Sequence, residues 1–315
     1  MKICIVGPGY MSIPPHGWGA VEILIHDYRE SLQRLGHNVE VINTRDMNLA
    51  VAMINACNPD FVHIQYEEYS FLTKQIRCNN VAVTSHYAYL TQPHKWNPAY
   101  SDIFWNTVNS GAYIFALNQE IAEIYKKAGV SHHRVKVIPN GVRTDLYNFK
   151  KDCKYPTESI CLAKIETRKR QYLIQGIDEI KFVGNYSDSN FNVCNKNYLG
   201  EWSKQKLYTD LTNFANLVLL SDGEAHPLVC MEAMSAGLGL VISEWCTANL
   251  DTSLPFITVI PESKIEDKIF IETEIEKNRE VSSSMRKEIR EYSMNFDWKK
   301  IVSENFMNAV NQVMS

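Results

Sequence analysis

The sequence predicts an α/β protein of two doubly wound halves, each a parallel sheet covered by helices on both faces. Three observations carry this reading. Short β-branched runs alternate with helix-patterned segments in the first half, a polar break opens at Asn140, and the alternation then restarts. With 315 residues the chain is long for one core, and 45% hydrophobic with 22% charged residues is composition from which each half can bury its own.

In the first half the pattern predicts strands at Lys2–Val6, Asn38–Ile42, Asp60–Ile64, Val81–Ser85, Ala112–Leu117 and Val135–Ile138. The clearest helix is Ala20–Leu35, where Val21, Leu24, Ile25, Tyr28, Leu32 and Leu35 recur at spacings of three and four, with Gly36 as its stop. The stretch NGVRTDLYNFKKDCKYPTES shows no period and reads as the boundary, giving domains 1–148 and 149–295. Beyond it, strands are expected at Ile160–Ala163, Lys181–Val183, Leu217–Leu220, Leu238–Ile242 and Phe256–Val259, and helices at Lys204–Phe214 and Leu228–Ala236. The end is helical and charged, and Trp298 opens its last amphipathic stretch. Two such halves leave a cleft between them, with ligands expected at the carboxyl ends of the strands.

The totals exclude several classes of function. A net charge of −4 gives no support for bulk attraction to nucleic acid or anionic lipid. No apolar run approaches the ~20 residues of a membrane span, and the strand pattern at Lys2–Val6 leaves no room for a signal peptide. The eight cysteines are scattered without a C-x-x-C pair, which predicts reduced thiols in a cytoplasmic protein rather than a zinc site. The basic stretch KKAGVSHHRVK leaves peripheral membrane contact open, although a solvated helix end is the plainer reading.

The N-terminal loop GPGYMSIPPHGWG tests a dinucleotide reading. Gly7 and Gly9 fit a G-x-G-x-x-G finger, but Ser12 takes the third place, and Pro14 and Pro15 keep a helix from starting there. The helix starts only after Gly19, so the loop is an extended connection with Gly17 and Gly19 as its close-approach glycines.

SDGEAHPLVCMEAMSAGLGLVIS is the most informative stretch. A strand ends near Leu220, Pro227 suits the first position of a helix, and that helix would bury Val229, Cys230 and Ala233 before stopping at Gly237. Its first N–H groups, at Leu228 and Val229, would attract a phosphate. Glu224 before the helix and Glu232 within it are acceptors suited to hydroxyls, which sugars supply in pairs. Hydroxyls at each end with phosphate between describe a nucleotide sugar. Against this stands the bland alternative of one solvated and one helix-surface glutamate.

Glu224, Glu232 and AMSAGLGLVIS together resemble the signature of retaining GT-B glycosyltransferases of family four. VIPNGVRTDLYNF, ICLAKIETRKRQYLIQ and KFVGN resemble further segments of that family; the N-terminal half matches mainly by layout. The resemblance implies two Rossmann-like domains facing across a cleft, the first on the acceptor side, with residues 296–315 crossing back to it as a helix that ties the two. It implies that Glu232 bonds ribose hydroxyls and Glu224 the transferred sugar, that Lys164, Lys169 and the adjacent Arg170 bind phosphate, and that Gly17 and Gly19 form the glycine loop. His86 matches a histidine near the donor sugar. Departures are His226-Pro227 for phenylalanine-glycine and Ala163-Lys164 for glycine-arginine, the latter keeping charge but losing the bidentate fork.

The implied reaction moves a sugar from a nucleoside-diphosphate sugar, such as a UDP- or GDP-sugar, to a hydroxyl of a glycan, lipid-linked or other acceptor, with retention. No cofactor is needed, and no Asp-x-Asp pair is present, so Lys164, Lys169, Arg170 and the helix start at Pro227–Val229 are expected to stabilise the leaving group in place of a metal. Tyr66 and Glu67 are candidates to face the acceptor, with loop solvation equally plausible, while Trp96 and Trp105 read as packing. A nucleotide-sugar epimerase or hydrolase, and a non-catalytic binding module, are the alternatives.

Overall fold

Near-continuous apolar strands buried on both faces mark the centres of parallel sheets, and the computed structural model, which describes residues 1–17 and 19–315, has them in β-runs such as ICIV and LVIS. The chain divides into two units, Met1–Gly141 with Trp298–Ser315, and Val142–Asp297, so the division falls within the polar segment that opens at Asn140.

In the first unit lie β1 (Lys2–Gly7), α1 (Ala20–Arg34), β2 (Asn38–Asn43), α2 (Met47–Cys57), β3 (Phe61–Ile64), β4 (Val81–Val83), α3 (Pro98–Val108), β5 (Tyr113–Ala116), α4 (Gln119–Lys127) and β6 (Val135–Val137). The sheet order is β2-β1-β3-β4-β5-β6, parallel throughout. α1 buries Leu24, Ile25, Tyr28 and Leu32 as its period predicts. Its end is a Schellman motif: Gly36 takes φ +82°, its N–H donates to the Gln33 carbonyl, and the His37 N–H donates to that of Leu32. Leu35, expected on the core face, is instead exposed, because it is the capping residue where the chain leaves the helix.

The second unit holds β7 (Tyr155–Leu162), α5 (Gln171–Ile174), β8 (Ile180–Val183), α6 (Lys204–Asp210), β9 (Phe214–Leu219), α7 (Leu228–Ser235), β10 (Gly239–Ser243), β11 (Ile257–Ile260), α8 (Lys268–Ser284) and α9 (Arg286–Ser293). Its order is β11-β10-β9-β7-β8, again parallel. β7 begins inside the segment read as an irregular break. Its first half is polar and exposed at Pro156 and Thr157, so no hydrophobic signal marked it. The expected helix to Phe214 stops at Asp210, and Phe214 opens β9 instead. Leu207, Leu211 and Phe214 are all buried, and their spacing imitates a helix face across the junction.

The C-terminal residues pack on the first unit through α10 (Trp298–Lys300), a π-helical turn at Ile301–Phe306 and α11 (Met307–Met314). Trp298 donates its indole N–H to Asp27 Oδ2 at 3.1 Å and lies 4.6 Å from the Tyr28 ring. A Cβ on Gly141 would come within 2.5 Å of that indole, so glycine is what lets Trp298 seat. Phe306 joins Tyr28, Phe61, His63 and Phe115 in an aromatic core.

Candidate functional site

In each sheet the strand order reverses beside the first strand, between β1 and β3 in the first unit and between β7 and β9 in the second. Loops leaving the carboxyl ends of strands at such a reversal form the ligand crevice of open parallel sheets. The two loops of the second unit carry Lys164–Arg170 and Ser221–Glu224.

These two loops are joined by charge. Glu224, its side chain 12% exposed, accepts from Lys169 Nζ and, at 3.0 Å, from Arg168 Nη1. Arg168 also donates to the Gly223 carbonyl at 2.6 Å and to Glu166 Oε1 at 2.8 Å, and its own carbonyl accepts the Asp222 N–H. Burial pushes the Glu224 pKa up, but Lys169 and Arg168 outweigh it and hold the carboxyl below the usual range. Gly184, at the end of β8, keeps the first loop in place. It takes φ +148°, and a Cβ there would meet the Ala163 carbonyl oxygen at 2.0 Å.

Of the expected phosphate-binding cations, Lys169 is brought to Glu224. Lys164 is half-exposed and pairs with Glu166, at 3.6 Å. Arg170 is a correction. It takes the left-handed conformation, φ +57°, and its guanidinium is held bidentate by Glu262, which also accepts from the Trp245 indole at 3.1 Å. Arg168 is the guanidinium at the site, and the sequence reading missed it because neighbours in TRKR cannot be told apart without knowing which way the turn at Thr167–Lys169 aims them.

α7 follows directly. Pro227 is its cap rather than its first helical residue, and Leu228 and Val229 open it, so their N–H groups are among those without an intrahelical partner. Cys230 and Ala233 are buried as expected, whereas Val229 is half-buried, with Met231 and Met234 supplying the remaining core contacts. Glu232 lies on the side opposite that core, 3.8 Å from Lys204 at the start of α6. His226 is buried and neutral, its pKa pushed down to about 3 by burial.

In the first unit the loop after β1 is pinned by Asn43, which accepts the Gly9 N–H at 2.8 Å and donates to the Met11 carbonyl at 2.7 Å. Gly9 is the loop glycine with a demanding conformation, φ +74° with a Cβ position 2.4 Å from Thr44. Gly17 lies in this loop beside the one residue outside those described. Gly19 caps α1 in ordinary extended conformation, and its Cβ would stand 2.8 Å from Glu22 Oε2. Glu22 is buried in the first turn of α1, so the helix's positive end already has an anion of its own.

The loop after β3 places Tyr66 edge-on to the exposed Tyr10, with Arg45 4.8 Å over the Tyr10 ring. Glu67 is a second correction: a 3-10 turn at Glu67–Lys74 rolls its carboxylate inward, where it is buried and accepts from Ser85 Oγ at 2.8 Å and from the His86 N–H. His86, after β4, is half-buried, with Nε2 2.8 Å from Gln65 Oε1, and burial pushes its pKa down to about 4. Trp96 packs on Tyr100 and Phe104, while Trp105 is exposed along one side. Gln65 and His63 were also missed. The signal was present in FVHIQ, where polar residues alternate on a strand that the sheet buries on both sides.

Residues 43–146 match the model of Glycosyltransferase Family 4. Sucrose-phosphate synthase from Thermosynechococcus elongatus is similar in structure, with a TM-score of 0.77 at 14% identity over 99% of this chain and 98% of that one. Anabaena HepE, solved in complex with UDP and glucose, gives 0.73 at 15% identity over 99% of both chains. The lipopolysaccharide outer core galactosyltransferase WaaB gives 0.70 at 17% identity, also over 99% of both. No curated protein matches the sequence. At these identities the likeness is one of fold, and the chain has the two-sheet α/β fold of the GT-B glycosyltransferases.

Proposed function

We propose that this chain is a glycosyltransferase that moves a hexose from a nucleoside-diphosphate sugar to an acceptor hydroxyl, with retention of configuration and without a metal ion. The observation that carries the reading is the junction of Lys169, Arg168 and Glu224 at the sheet reversal of the second unit, directly before the open N-terminus of α7. The structures of HepE with UDP and of WaaB, a galactosyltransferase, support a UDP-hexose as the first donor to try. The matching family model supports the same class.

Each side chain then has a role. Glu232 accepts from the ribose hydroxyls. The phosphates meet the N–H groups of Leu228 and Val229 and the Lys169 ammonium, which give the leaving diphosphate a preorganised positive field. Lys169 exchanges Glu224 for phosphate, and Glu224, still held by Arg168, is released toward the sugar hydroxyls. The acceptor hydroxyl attacks the anomeric carbon on the face the phosphate leaves, passing its proton to the departing oxygen. His86 orients the sugar. The eight free thiols support a reducing, cytoplasmic setting.

A panel of UDP- and GDP-hexoses, with and without acceptor extracts, tests this by release of nucleoside diphosphate. Release that needs an acceptor is the expected result. Free sugar or an isomerised donor would make the chain a hydrolase or epimerase, and binding without turnover would leave only a binding module.

A further inference from the structure

The first unit buries a chain of linked polar side chains. Thr84, His63 and Gln65 are each at most 3% exposed, on β3 and at the ends of β3 and β4. His63 Nε2 lies 2.9 Å from Thr84 Oγ1, and His63 Nδ1 lies 3.2 Å from Gln65 Nε2. Gln65 Oε1 lies 2.8 Å from His86 Nε2. Aromatic rings of Tyr28, Phe115 and Phe306 stand 5.3 to 5.5 Å from the His63 ring, so this network is walled off from water. Buried polar groups of this kind are costly unless fully bonded, and the one end of the network that reaches partial exposure is His86.

The Gln65 amide orients the network. Its oxygen only accepts and its nitrogen only donates, so the contacts at 2.8 Å and 3.2 Å each allow one direction. The Gln65 carbonyl therefore accepts the proton of His86 Nε2, the Gln65 amide donates to His63 Nδ1, and His63 Nε2 donates to Thr84. We propose that Gln65 is a positioning residue that fixes His86 as its Nε2–H tautomer, so that Nδ1 presents a lone pair and accepts a hydrogen bond from a sugar hydroxyl at the carboxyl end of β4. This rests on the proposed transferase reading for the identity of the ligand, but not for the tautomer. The groups facing His86 are His63 and Gln65 from β3 and its end, the Glu67 carboxylate on the backbone N–H, and Ser85, Tyr87 and Tyr100 beside it. Burial holds both histidines neutral above mildly acidic pH, which keeps the acceptor intact.

Nitrogen-15 spectra of the unliganded protein, labelled at histidine, decide the tautomer directly. The expected result is a His86 ring protonated at Nε2, and protonation at Nδ1 overturns the proposal. The variants Gln65→Leu and Gln65→Glu then test the role, with backbone spectra confirming that each folds. Gln65→Leu should weaken UDP-glucose about tenfold, the loss of one oriented bond, at every pH while leaving UDP unchanged. Gln65→Glu should keep the tautomer but raise the pH at which His86 charges, so that weakened UDP-glucose binding appears only on the acid side. An equal loss of UDP and UDP-glucose in Gln65→Leu would mark a merely structural residue and overturn the role. Failure of wild type to bind UDP-glucose with the Nε2–H tautomer observed would count against the donor reading instead.

Discussion

The two sheet reversals are built from opposite materials. In the first unit the linked side chains are neutral, running through Thr84, His63 and Gln65 to His86, with the buried Glu67 carboxylate on the His86 backbone N–H. In the second they are ions, with Glu224 between Lys169 and Arg168, and Arg170 tied to Glu262. A neutral network costs less to bury and fixes direction, because each link pairs one donor with one acceptor. An ionic cluster costs more, and it can trade one anion for another without leaving a charge bare. The first suits the orientation of a hydroxyl, and the second suits a diphosphate that arrives and leaves.

The contrast should be plainest in stability. Arg168→Ala leaves the Glu224 and Glu166 carboxylates and the Gly223 carbonyl without a shared donor, and should cost about 3 kcal/mol as one partner of a largely buried pair. Gln65→Leu removes neutral bonds and should cost about 1–2 kcal/mol. Urea unfolding followed by hydrogen exchange in each unit measures both. Equal costs would mean that the ions of the second unit are solvated well enough to behave as surface pairs.

Acid should separate the two kinds of group next. His63 and His226 have pKa values pushed down to about 3 by burial, so between pH 6.5 and 4 the unfolded chain binds protons that the folded chain refuses. Stability is then full above the ordinary histidine value and falls by about 1.4 kcal/mol per pH unit for each histidine below it. Glu224 behaves differently: its lowered pKa keeps its stabilisation until the pH drops below the usual carboxylate range. Melting temperature against pH for the wild type and His63→Gln should show a shallower acid slope in the variant. An identical slope would mean that His63 takes up its proton in the folded state.

How far the sequence revealed this arrangement follows the same division. The alternation of strands, the stop at Gly36 and the start of α7 were legible because they depend on periodicity and on glycine and proline, which act locally. Glu224, Glu232 and Lys169 were legible through a family pattern. Arg168 was not, since its role depends on a single turn that aims it at Glu224 while the left-handed Arg170 swings to Glu262. Glu67 was misplaced for a similar reason: the turn that follows Tyr66 decides whether a carboxylate meets water or Ser85. His63 and Gln65 announced themselves by polar alternation on a buried strand, a signal that only becomes sharp once the sheet order makes β3 central.

Binding offers a finer test of the second unit. Glu232→Ala removes the acceptor assigned to the ribose hydroxyls and its pairing with Lys204, while leaving Lys169 and Glu224 in contact. UDP and UDP-glucose should both weaken about tenfold, the worth of one or two charged hydrogen bonds. Calorimetry would read the loss, and unchanged dissociation constants would remove Glu232 from the nucleotide site.

The smallest expected effect is none at all, and it bears on whether an occupied lysine can serve. Treatment with a chelator should leave the transfer rate unchanged, because Lys169 and the N-terminus of α7 already supply the charge that a divalent ion would bring. That holds only if the diphosphate takes Lys169 from Glu224. Exchange is favoured because Glu224 keeps Arg168 at 3.0 Å, so losing the lysine does not strand a buried anion. In Arg168→Met that second partner is gone, Lys169 would be committed to Glu224, and the chelator-resistant rate should fall about tenfold or more through the chemical step. A wild-type rate that vanishes with chelator and returns with a divalent ion would show that the cations of the second unit are consumed in holding Glu224.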